Sequence, residues 1–201
     1  MTPLLSAFSA GAMLLLRVRG SVPLVVSAEQ AAGAAARLAA SLPRARHCIQ
    51  CCTDTLELAL GTLAAWCAGQ TVVMPSTRLA ADVEALRARF SDSYVLDGAA
   101  FANAVRGASI AASAPAAADF DAASELIAIA QPCWPAFGLD PAHDAIVLFT
   151  SGSTRAPQAH AKTWDALCRG AETFRRAFEP LASPPLLAGT VDCHHMFGLE
   201  T

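Results

Sequence analysis

At 201 residues the chain is long enough for one large or two small domains and for a sizeable buried core. It is 54% hydrophobic and only 15% charged, with a mean hydropathy of +0.41; in soluble domains about a quarter of the residues carry charge. The net charge of −3, without a basic block or interleaved aromatic and basic residues, argues against a nucleic-acid partner.

An apolar stretch at residues 10–16 falls short of the roughly 20 residues that a membrane-spanning helix needs. No basic residue precedes it, whereas Arg17 and Arg19 follow it, the reverse of a secretory signal. It is expected to be buried sheet or helix in a cytoplasmic protein without a membrane partner. Ser27 and Gln30 then form a capping box for an Ala-rich helix that Pro43 ends. Residues 46–52 are short and apolar, a buried strand.

This strand holds Cys48, Cys51 and Cys52 of the seven cysteines. Cys48 and Cys51 make a C-x-x-C with no second pair, and the odd total lacks metal-ligand spacing. Buried thiols packing as small hydrophobes are expected, not zinc or a disulfide. Thr53 or Asp54 caps a helix through Cys67, with Gly69 placed for a left-handed C-terminal cap. Residues 71–74 form a strand stopped by Pro75, followed by a helix over 79–90 and a strand over 94–96.

The Ala-rich stretch 107–118 reads as a surface connection. Strands are expected at 125–130 and 145–149, a helix at 164–178 and a last strand at 186–191. Alternation of this kind predicts an α/β fold, a largely parallel sheet flanked by helices. No repeat or internal domain boundary stands out between residues 1 and 201.

The segment with chemical content is Ala145-Ile-Val-Leu-Phe-Thr-Ser-Gly-Ser-Thr-Arg-Ala-Pro-Gln-Ala-His-Ala-Lys162. A buried strand runs into clustered hydroxyls around one glycine, then a proline, then a helix. Thr150, Ser151, Ser153 and Thr154 supply hydroxyl donors, and Gly152 lets backbone N–H groups turn toward an anion. The following helix could add its N-terminal dipole. Ser, Thr and Gly also make ordinary turns, and that reading stays open. The segment is neither a Walker A loop nor a nucleophile elbow. Lys162 is the only lysine in a chain whose other 13 basic residues are arginine, a compact point charge suited to phosphate or simply a solvated one.

Thr150-Ser-Gly-Ser-Thr154 followed by Pro157 resembles the phosphate loop of the AMP-forming acyl-CoA synthetases, luciferases and peptide-synthetase adenylation domains. Downstream, Cys193-His-His-Met-Phe-Gly-Leu199 resembles that family's His-x-Phe/Tyr-Gly segment, and residues 47–75 resemble its early strand–helix–strand. The resemblance implies that Thr150, Ser151, Gly152, Ser153 and Thr154, with Lys162, hold the phosphates of ATP, and that Mg²⁺ is the second cofactor, neutralising the leaving pyrophosphate with them. It implies that His195 contacts the substrate carboxylate as the catalytic residue, and that His194, His195, Phe197 and Gly198 line the acid pocket. Pro157-Gln-Ala-His160 with Lys162, and His194-His-Met-Phe-Gly-Leu-Glu200, look most like ligases of aryl-polyene and xanthomonadin-type pigment clusters.

The implied activity is activation of an aryl or fatty acid to acyl-AMP, then transfer to CoA or an acyl carrier protein. Two positions depart from the pattern. Arg155 replaces a glycine and Gln158 a lysine, with Lys162 a helical turn further on as its substitute. The family's adenine-site Tyr-Gly-x-Thr-Glu segment, ribose-binding aspartate, hinge and late lysine are not present through Thr201. The chain therefore reads as an N-terminal portion, inactive by itself, with apolar surface where the remainder docks. The alternatives are a non-catalytic remnant that keeps the fold and an unrelated α/β nucleotide-binding domain.

Overall fold

Helix starts and stops are written into the sequence as capping side chains, and the structure realises them. A computed structural model describes residues 13–19, 22–108, 121–130, 139–150 and 158–178. Ser27 Oγ accepts from the Gln30 amide at 3.1 Å while Gln30 Oε1 accepts from the Ser27 amide at 2.9 Å, the reciprocal capping box that starts α1 (Ala28–Ala39). Asp54, rather than Thr53, caps α2 (Thr55–Cys67), its Oδ1 accepting from Leu56 N and Glu57 N at 3.0 and 3.1 Å. α2 ends where Gly69 takes a φ of 72°. Its amide donates to Trp66 O and the Gln70 amide to Ala65 O, the paired bonds of a Schellman cap.

Five strands form the main sheet: β3 (His47–Gln50), β4 (Thr71–Met74), β5 (Ser93–Leu96), β6 (Asp144–Thr150) and β7 (Gln158–Thr163), in the order β5-β3-β4-β6-β7. The first four in that order are mutually parallel, and β7 is antiparallel to β6 at the edge. β1 (Met13–Arg19) and β2 (Val22–Ser27) make a separate antiparallel pair, so the early apolar stretch is partly sheet, with a partner strand that its own pattern does not announce.

Right-handed crossovers assign the helices to faces. The step from β3 to β4 goes one way and the step from β4 to β5 goes the other, so α2 and α3 (Ala80–Arg89) must lie on opposite faces. Two separate cores record this. Cys48, Val72, Met74, Ile146 and Leu148 pack with Leu38 of α1 and Leu60 of α2. The alternate residues Ile49, Val73 and Val147 pack with Leu86 of α3. From β5 to β6 the chain again crosses in the first direction, which puts α4 (Gly98–Ala108) and α5 (Ala122–Ile129) with α1 and α2.

Gln50 seals the start of α2. Fully buried, it accepts from Cys52 N at 3.1 Å and donates to Leu58 O at 3.3 Å. It lies so close to α2 that a Cβ on Gly61 would stand 2.7 Å from its Nε2 and 2.8 Å from Leu96 Cδ2.

Several expectations are corrected. Residues 125–130 are not a strand but belong largely to α5, capped by Asp121, whose Oδ1 accepts from Ser124 N at 3.2 Å. A short apolar run does not distinguish strand from buried helix; burial of Ala123, Leu126 and Ile127 at helical spacing does. α4 is an additional helix, and residues 107–108 belong to it, not to a connection. Residues 109–120 and the strand expected at 186–191 lie outside the described residues. The segment after the hydroxyl cluster enters β7 before α6 (Trp164–Phe178) begins, so no helix N-terminus follows the cluster directly.

Cys48, Cys51 and Cys52 are free and buried, as expected. Among the described residues no helix is long and apolar enough to cross a membrane, and no three His, Cys, Asp or Glu side chains gather as a metal site. Among the described residues Leu79, 68% exposed, is the one exposed large hydrophobic.

Candidate functional site

Four parallel strands point their carboxyl ends to one edge of the sheet, where ligands bind in open α/β folds. β6 reaches that edge through buried Ala145, Ile146, Val147 and Leu148 and stops at Thr150. Thr150 pairs with Gln158 across the antiparallel ladder. The chain thus leaves β6 at Thr150 and re-enters the sheet at Gln158, two ends pinned side by side at the carboxyl edge of β6.

Ser151, Gly152, Ser153 and Thr154 of that cluster, and His194, His195, Phe197 and Gly198 of the downstream motif, lie outside the described residues. The position of Lys162 is described, and it corrects the sequence reading. It stands in β7 opposite Ile146, not a helical turn beyond the cluster. Four steps along the strand separate it from Gln158 of the Thr150–Gln158 pair, about 13 Å at 3.3 Å per residue. Gln158, opposite Thr150, and His160, opposite Leu148, are exposed.

Neighbouring loops bring further polar groups to this edge. After β3 comes Cys51, whose thiol burial pushes up to about 11, with the Asp97 charge raising it further and the Arg78 charge lowering it. Asp97 follows β5 and caps α4, its Oδ1 accepting from Ala100 N at 2.8 Å. Thr77, after β4, donates its hydroxyl to Asp82 and accepts from the Leu79 amide at 3.4 Å. Sequence reasoning passes over Arg78 and Asp97, although inspecting the residues just beyond the end of each parallel strand would find them.

On the α3 face, Phe149, the residue before Thr150, meets Phe90 edge to face at 6.5 Å between centroids. The Arg89 guanidinium lies over both rings, 5.3 Å from Phe149 and 5.8 Å from Phe90. No local signal links Arg89 to β6, because the two are distant in sequence and only the fold joins them.

No protein-family model and no curated protein matches this sequence. Solved structures do. An acyl-CoA synthetase from Brucella canis superposes with a TM-score of 0.66 at 17% identity, over 96% of this chain and 38% of that one. A fatty acyl-adenylate ligase from L. pneumophila, in complex with acyl adenylate and pyrophosphate, gives 0.63 at 18% identity over 92% of this chain and 33% of that one. The adenylation domain of a keto acid-selecting NRPS module bound to keto acyl adenylate gives 0.60 at 13% identity, with 88% and 34% covered. This chain shares their fold. It spans between about a third and two fifths of the length of these three chains.

Proposed function

We propose that this chain is the phosphate-gripping part of an AMP-forming acid–thiol ligase. The observation that supports the reading is where β6 ends, at Thr150 on the carboxyl edge of the sheet, the first residue of the hydroxyl-rich sequence. A Thr-Ser-Gly-Ser-Thr segment leaves the carboxyl end of β6, held between two paired strands, in a fold otherwise found in acyl-adenylate-forming enzymes.

In this reading a substrate carboxylate oxygen attacks the α-phosphorus of ATP. The bond to the bridging oxygen of the β-phosphate breaks, giving acyl-AMP and pyrophosphate. A thiol of CoA or an acyl carrier protein then attacks the acyl carbonyl and displaces AMP. Thr150, Ser151, Ser153 and Thr154, with backbone N–H groups around Gly152, hold the departing pyrophosphate, to which Mg²⁺, when bound, would supply counter-charge. His195 orients the carboxylate, and His194, Phe197 and Gly198 wall the acid pocket. The resemblance to pigment-cluster ligases narrows the acid to an aryl or fatty one, and the use of ATP and CoA places the reaction in the cytoplasm. Most of the rate comes from positioning and charge stabilisation.

Arg155 and Gln158 favour a second reading, a fold that binds nucleotide without turning it over. One experiment separates the two. Pyrophosphate release, measured with ATP and a panel of aryl and fatty acids on the full-length protein, should fall at least 100-fold in the Thr150→Ala/Ser153→Ala double variant. Equal release by variant and parent removes the hydroxyl cluster from the mechanism. No release by either, with ATP still bound, supports the second reading.

A further inference from the structure

β7 does not encode its own register. Gln158, Ala159, His160, Ala161 and Lys162 alternate polar side chains with alanine. A slip of two residues along β6 therefore sets alanine where alanine was and a polar side chain where a polar one was. Residues 158–161 are all exposed, so burial does little to choose between the two alignments. Yet one alignment is built, with Phe149 opposite Ala159 and Thr150 opposite Gln158.

The choice is made at the other end of the pair. Asp144 faces Thr163 and Ile146 faces Lys162, which leaves Ala145 as the extra residue of a β-bulge. Consecutive Ala145 and Ile146 are accordingly both buried in the core that holds Leu60 of α2, where a regular strand would alternate. Both carbonyls at the bulge are held by side chains from outside the β6–β7 pair. Trp66 Nε1 donates to Ala145 O at 2.8 Å, and Thr71 Oγ1 donates to Asp144 O at 2.6 Å. The Trp66 ring also meets Trp164 edge to face, 5.4 Å between centroids, and both residues are buried. Trp164 follows β7 directly, and its amide donates to His143 O at 2.8 Å. One indole thus touches the bulge that begins β6 and the residue that ends β7. A slip of two residues would carry Trp164 about 7 Å along the sheet, at 3.3 Å per residue, and off Trp66.

We propose that Trp66 is a positioning residue that sets the register of β7 on β6, and so fixes which residues stand together where the chain leaves the sheet, Thr150 and Gln158. Its bearing on phosphate rests on the reading above, in which Thr150 begins the phosphate-holding sequence.

Cysteine pairs read the register directly in the full-length protein, equilibrated in a glutathione redox buffer. Phe149→Cys/Ala159→Cys joins the observed partners, and Phe149→Cys/Ala161→Cys joins those of the slipped strand. In the parent the slipped disulfide should be strongly disfavoured. Adding Trp66→Phe, which keeps an aromatic ring but removes the N–H, should raise the ratio of slipped to observed disulfide about tenfold, the loss expected when a buried carbonyl gives up its donor. Thr71→Val should move the ratio in the same direction, and it decides the matter if Trp66→Phe does not fold. Phe101→Leu, which thins the core under α4, should melt lower and leave the ratio unchanged. Saturating Mg-ATP should lower the slipped fraction in Trp66→Phe, because a ligand that prefers one register draws the chain into it. An unchanged ratio in both Trp66→Phe and Thr71→Val would overturn the proposal. So would equal formation of the two disulfides in the parent. A rise in Phe101→Leu equal to that in Trp66→Phe would overturn it too, by making slippage a general result of lower stability. If the ratio responds to Trp66→Phe but not to Mg-ATP, the register inference stands and the phosphate reading fails.

Discussion

Three thiols in and just after β3 show how burial decides the chemistry of a residue. Cys48 lies inside the sheet, and burial pushes its thiol up to about 12 despite a hydrogen bond with Tyr94 that lowers it. Cys51 is raised to about 11, and Cys52, whose Sγ donates to Leu96 O at 3.5 Å, is raised further, burial being the largest cause for both. The Tyr94 phenol, hydrogen-bonded to Gln70 Oε1 at 2.9 Å, is raised as well, again chiefly by burial. The thiolate is the reactive form, so these cysteines should resist alkylation at pH 8 in the native protein and react only on unfolding. Among the described cysteines, partly exposed Cys67 and Cys168 should react first, as mass-spectrometric mapping of labelled sites would show.

The same shifts fix a pH dependence. The folded values lie above the ordinary 9.0, so the stabilisation is complete below about pH 9. It is lost as the pH rises from there through 11 to 12, because the unfolded chain releases thiol protons that the native chain keeps. The urea midpoint should fall between pH 8 and 10.5; a constant midpoint would contradict the burial of these thiols.

Packing between elements is tightest where α2 crosses the end of β3. Gly61 leaves space there for Gln50 and Leu96, and Gly61→Ala would place a methyl within 2.7 and 2.8 Å of them. Overpacking of a close-packed core costs about 1–3 kcal/mol, outweighing the better helix propensity of alanine. The variant should melt several degrees below the parent, and an unchanged or higher melting temperature would show that Gln50 yields freely.

Elements with side-chain punctuation are the ones legible in the sequence. α1 and α2 can be read because Ser27, Gln30, Asp54 and Gly69 act within a few residues of the backbone they cap. β4 can be read from a four-residue apolar run bounded by Pro75. α5 reads wrongly as a strand because a short apolar segment lacks its own period, and its helical burial arises from α1, α2 and α4 around it. α4 carries a usable signal that the sequence reading missed, Asp97 followed by Phe101 and Val105 one helical turn apart. β7 is hidden because Gln158 to Thr163 is polar and exposed, an edge strand made by pairing with β6 rather than by its own propensity.

For the molecule as a whole, strand order does what no local pattern could. The reversal between β4 and β5 puts α3 on one face and α1, α2, α4 and α5 on the other, while parallel pairing gathers the carboxyl ends of β3, β4, β5 and β6 at a single edge. The hydroxyl cluster stands out in the sequence because its donors are adjacent residues. The contact of Arg89 with Phe149 does not, since it exists only once the sheet has formed. The structural neighbours extend the same logic, sharing this sheet at 13–18% identity. The same arrangement of strands is built here by a sequence that no family model matches.

One spatial relation underlies the proposed chemistry, a triphosphate at the end of β6 beside a pocket walled by His195. The most direct measurement is a crystal structure of the full-length protein soaked with Mg-ATP and an aryl or fatty acid. Density for the β- and γ-phosphates is expected against residues 150–154, with the His195 imidazole in the same cleft, facing the acid carboxylate. A structure with the hydroxyl cluster and that imidazole on opposite sides of the protein, sharing no cleft, would contradict the ligase reading.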